Sequence, residues 1–84
     1  MKFTAEIMSQ VYKKNRERII LGTIKALKKE IKEYAQYGYK SKAIELAHSF
    51  NEEEQEQITN YFIEKGFGVE WIYNDEVKIV WVKN

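Results

Sequence analysis

Val69-Glu70-Trp71-Ile72-Tyr73-Asn74-Asp75-Glu76-Val77-Lys78-Ile79-Val80-Trp81 is the stretch that decides the fold. Val69, Trp71 and Tyr73 alternate with Glu70 and Ile72, and Val77, Ile79 and Trp81 alternate with Lys78 and Val80. Two period-two runs rich in β-branched and aromatic residues, separated by turn-forming residues, read as a β-hairpin. A two-residue loop, Asn74-Asp75, would set Trp71 opposite Lys78 and Tyr73 opposite Glu76 and split the apolar face. A three-residue loop, Asn74-Asp75-Glu76, pairs Tyr73 with Val77, Trp71 with Ile79 and Val69 with Trp81. A one-residue slip turns over a strand's whole apolar set, so the three-residue loop is the expected register. The second face still carries Ile72, Val80 and Val82.

Upstream of the hairpin, Ser49 to Gly66 has the marks of a helix. Asn51 with Glu54 three residues on forms a capping box, and Glu52, Glu53 and Glu54 lie where the helix dipole favours negative charge. Ile58, Tyr61, Phe62 and Lys65 share one face, and Gly66-Phe67 is a glycine-plus-aromatic stop. Before it, Ile44 and Leu46 alternate within residues 43–48, which suits a short strand.

The N-terminal part is helical. Thr4 is the N-cap, and Ile20, Ile24, Leu27, Ile31 and Tyr34 step by four, three, four and three residues, one stripe of a helix. Phe3, Ile7 and Val11 form a second, shorter row. Lys13-Lys14-Asn15-Arg16-Glu17-Arg18 lies between the rows without an apolar residue, so the segment is one long helix or two nearly continuous ones, broken there or at Gly22. Gly38, followed by Tyr39, ends it. The expected architecture is α+β in one domain over 1–84. A helical segment over 1–38 precedes a β-α-β-β unit over 41–84, whose small three-stranded sheet is covered by helices.

Charge divides the chain. Residues 1–42 carry +7 and residues 43–84 carry −6, for a net +1. Such asymmetry points to a partner of opposite charge, or to one half pairing with the other. Lys13, Lys14, Arg16, Arg18, Lys25, Lys28, Lys29 and Lys32 lie along the first helix. Nucleic-acid binding would rest on Lys13, Lys14, Arg16 and Arg18. Tyr34, Tyr37 and Tyr39 beside Lys40 and Lys42 offer an aromatic and basic surface of the kind that clamps single strands.

Several chemistries are excluded. With 84 residues and no cysteine, the chain has neither a disulfide framework nor a thiolate metal site. His48 is the one histidine, which removes two-histidine sites. No serine, threonine or lysine sits in a nucleophile motif, and Gly66-Phe67-Gly68 has no following helix to make a phosphate loop. The expectation is a non-enzyme without cofactor. No apolar run reaches the roughly 20 residues that span a bilayer, and the first nine residues do not resemble a signal peptide. No membrane contact and a cytoplasmic location are therefore expected.

Gly38-Tyr39-Lys40-Ser41 leading into an apolar strand, the acidic cap from Asn51 to Glu54, Gly66-Phe67-Gly68-Val69, and a terminal strand ending in Trp81 occur together. This pattern, over residues 35–82, resembles small hypothetical proteins of phages and prophages of low-GC Gram-positive bacteria. The resemblance implies a phage-type accessory protein, which places the chain in the host cytoplasm. With no catalytic set in view, the leading expectation is that it binds and inhibits a host or defence protein, through Trp71, Ile72, Val80 and Trp81. The alternatives are sequence-independent nucleic-acid binding by the first helix and an oligomeric virion or assembly component. A homodimer is expected through Ile20, Ile24, Leu27 and Ile31, because one thin core cannot cover every apolar row.

Overall fold

The computed structural model describes residues 3–83. α1 (Ala5–Gln36) is one unbroken helix, followed by β1 (Ser41–Glu45), α2 (Glu52–Glu64), β2 (Gly68–Tyr73) and β3 (Glu76–Val80). The architecture is α+β, as the patterning predicts. The sheet is antiparallel with order β1-β3-β2, so the last strand is the central one.

Both helices begin and end on local chemistry. The Thr4 hydroxyl accepts from the Ile7 N–H at 3.2 Å, and the Asn51 side chain accepts from the Glu54 N–H at 2.9 Å. Gly38 and Gly66 adopt φ of +91° and +89°, which a residue with a Cβ reaches only under strain. At each stop the residue after glycine donates its N–H five residues back, Tyr39 to the Tyr34 carbonyl and Phe67 to the Phe62 carbonyl, both at 3.0 Å. The rings of each pair then meet edge to face, at 5.4 Å and 5.7 Å between centroids. Each helix end is thus a Schellman motif closed by an aromatic contact.

The hairpin loop is Asn74-Asp75, one residue shorter than expected. Tyr73 pairs with Glu76, Trp71 with Val77 and Val69 with Ile79, and the register shifts between Trp71 and Tyr73. The extra residue is Ile72. This bulge lets a two-residue loop keep Val69, Trp71, Val77 and Ile79 on one face, which a regular ladder would have split. No non-glycine residue has positive φ among the described residues, so the turn is not of the primed kind that matches strand twist. A bulge supplies added twist. Tyr73, expected on the apolar face, is exposed.

β1 ends earlier than the alternation of Ile44 and Leu46 predicts. The Leu46 and Phe50 N–H groups donate to the Asp75 and Asn74 carbonyls at 2.7 Å and 2.8 Å. Residues 46–50 therefore leave the sheet and wrap the hairpin turn. Phe50 is buried there, with Trp71 against its ring.

The core joins Ile20, Leu27 and Ile31 of α1 to Ile44, Phe50, Ile58, Phe62, Val77 and Ile79. The stripe expected at a dimer interface is therefore internal. Ile20, Leu27 and Ile31 are buried by this chain's own sheet and α2, and Ile24 packs against the same cluster. Burying three such side chains is worth about 5–9 kcal/mol in transfer free energy, enough to dock α1 without a second copy. Every member that α1 contributes lies at or beyond Ile19. The first turns project, leaving Phe3, Val11 and Tyr12 exposed. The radius of gyration is 15.1 Å against about 12 Å for a compact chain of this length, and the long dimension is 54 Å.

Candidate functional site

An α-helix advances about 100° per residue, which assigns each side chain of α1 a direction. Arg16, Thr23, Leu27 and Tyr34 point toward the body. Diametrically opposite, within a sector roughly 100° wide, lie Lys14, Arg18, Leu21, Lys25, Lys28, Lys29 and Lys32. All seven are exposed. The sector holds no acid, and Glu17 and Glu33 stand on its two flanks. It is a straight ridge about 27 Å long from Lys14 to Lys32. Among the described residues, none of its six bases lies within ion-pair distance of a carboxylate.

The four bases expected to act together do not. Lys14 and Arg18 belong to the ridge, whereas Arg16 turns inward. Arg16 Nε donates to Glu54 Oε2 at 2.7 Å, and Nη2 donates to Glu54 Oε1 and to the Ser49 carbonyl, both at 2.9 Å. Its guanidinium lies 5.4 Å from the centroid of the Phe50 ring. Glu54 also accepts from the Asn51 N–H at 3.1 Å, so one buried carboxylate serves both the α2 cap and the bond between helices. The hydrogen bond from Arg16 holds the Glu54 carboxyl below the usual range, against the opposing effect of burial, and raises Arg16 in turn. Lys13 lines the same cleft, beside Glu53.

The expected protein-binding set also separates. Trp71 lies on the core side of the sheet, its indole N–H donating to Thr59 Oγ1 at 2.8 Å. Trp81 packs against the core, and its indole N–H donates to the Tyr39 carbonyl at 2.7 Å. Ile72 and Val80 are on the outer face, Ile72 exposed at the bulge and Val80 half-buried above Gly68. The tyrosine cluster is partly spent on structure: the Lys42 ammonium sits 5.1 Å and 5.7 Å from the rings of Tyr34 and Tyr39. Tyr37 remains exposed.

Among the described residues no three His, Cys, Asp or Glu side chains converge as metal ligands, and no helix is long and apolar enough to cross a membrane. No protein-family model, curated protein or solved structure matches this chain.

Proposed function

We propose that the protein binds nucleic acid through the phosphate backbone, laying the outer face of α1 along it without reading base sequence. The observation that carries this is the ridge of six exposed bases without an acid among them. Five of the six are lysines, point charges that suit phosphate. The forked guanidinium that pairs with a guanine edge is present once, in Arg18. The acidic residues of the first turn of α2 do not oppose the ridge directly, since Glu53 and Glu54 line the cleft beside Tyr12, Lys13 and Arg16. Titration of labelled single- and double-stranded DNA at low salt tests the proposal. The wild-type chain should shift both, and Lys25, Lys28, Lys29 and Lys32 changed together to glutamine should remove most of the binding. No shift of either DNA at low salt would overturn it.

One feature supports the other reading, a phage-type accessory protein that inhibits a host or defence protein. Phe3, just before the Thr4 cap, is 87% exposed and Val11, on the projecting turns of α1, is 50% exposed, and exposed aromatic anchors such as Phe3 seat in partner pockets. A pull-down from bacterial lysate separates the two. One stoichiometric protein retained after nuclease treatment, and lost on Phe3→Ser with Val11→Ser, favours the partner protein; recovery of mixed nucleic acid favours the ridge.

A further inference from the structure

α1 and the end of α2 flank a groove of about 250 Å³. Its lining is Ile31, Phe62 and Phe67 together with Lys28, Lys32 and Lys65. Ile31 and Phe62 are buried and Phe67 is half-buried, so the floor is apolar and largely aromatic. Three of the six lining residues are lysines, each carrying an ammonium group at the end of its stem. Those of Lys28, on α1, and Lys65, the residue that caps the end of α2, lie 5.8 Å and 4.9 Å from the centroid of Tyr61. No carboxylate lines the groove, and Glu64, next to Lys65, is exposed outside it. The C-terminus of α2 contributes about half a negative charge, which three lysines outweigh.

We infer that this groove seats one base of a single-stranded nucleic acid, with the adjoining phosphates held by Lys28, Lys32 and Lys65. The inference rests on the ridge proposed above, of which Lys28 and Lys32 are the C-terminal members. An apolar aromatic floor ringed by cations calls for a ligand with a flat apolar face and negative charge beside it. The volume lies below the roughly 300–1,000 Å³ of sites for drug-sized molecules, which limits the occupant to about one ring system. A strand whose phosphates track the ridge brings its bases to this point, and stacking on aromatic side chains is the sequence-tolerant way to hold them. A duplex keeps its bases stacked and unavailable.

The test is a fluorescence-anisotropy titration of the full chain with three probes of equal length. These are a labelled single-stranded oligothymidylate, an abasic strand of the same charge, and a duplex. Oligothymidylate should bind roughly tenfold more tightly than the abasic strand. Phe67→Leu, which keeps the apolar contact at the end of α2, should erase that preference. Lys65→Gln, a surface change just past α2 and away from the ridge, should reduce it. Equal binding of the two strands, or a preference that survives both substitutions, would overturn the seat and leave the ridge standing. No binding of any probe at low salt would overturn both.

Discussion

α1 and α2 meet twice, and the two meetings are opposites. At the start of α2, Arg16 and Glu54 close the gap with two hydrogen bonds of 2.7 Å and 2.9 Å, and the same carboxylate completes the helix cap. At the end of α2, Lys28, Lys32 and Lys65 line an apolar floor, and among the described residues no hydrogen bond or ion pair joins the helices there. The first meeting pairs Arg16 with Glu54, and the chemistry of that pair is spent on holding the fold. The second gathers like charges with no carboxylate in the lining, which leaves binding capacity for an anion.

Breaking the closed meeting should have the largest effect. Arg16→Ala and Glu54→Ala should each lower stability by about 2–3 kcal/mol, the scale for hydrogen bonds to charged groups with a half-buried partner left behind. The double variant should lose less than the sum, because both remove one interaction. Denaturant melts of the four proteins measure this, and strict additivity would show the two side chains to be independent.

Acid should open the same junction. Glu54 binds its proton less readily in the folded chain than in the unfolded one, so its contribution is complete above about pH 4.5 and is lost as pH falls through the lower, folded value. The stability difference between wild type and Glu54→Gln isolates this carboxylate from the other acids. That difference should shrink as pH falls below about 4.5; a difference that stays constant on acidification would contradict the assignment.

At the open meeting a charge reversal should be nearly silent in stability. Lys32→Glu replaces a like-charge neighbour of Lys28 and Lys29 with an opposite one and should raise stability by at most about 0.5 kcal/mol. Single-strand binding should fall at the same time. A loss of stability comparable to that at Glu54 would mean that the lysine groove is part of the structural frame.

The comparison also marks what the sequence made legible. Thr4, the Asn51–Glu54 box and the two glycine-aromatic stops are interactions between residues three to five apart, so composition and spacing suffice to find them. The stripe of Ile20, Leu27 and Ile31 was equally plain as a stripe. Periodicity assigns a face but not its partner, and the partner is this chain's own sheet. The hairpin register failed at Ile72 because a bulge satisfies the face requirement that otherwise demands a longer loop. Arg16 read as one more base in a basic run, since its acid lies 38 residues away. The lysine groove escaped for the same reason, being assembled from residues on α1, on α2 and just beyond it.

The central claim is that the outer face of α1 holds phosphates, and the salt dependence of binding tests it most directly. With six contacts released as counterions, the logarithm of the single-strand binding constant should fall against the logarithm of salt concentration with a slope of about −4. Glutamine at Lys25 and Lys29 together should bring the slope to about −3. A slope near zero, or one that these two substitutions leave unchanged, would contradict the account.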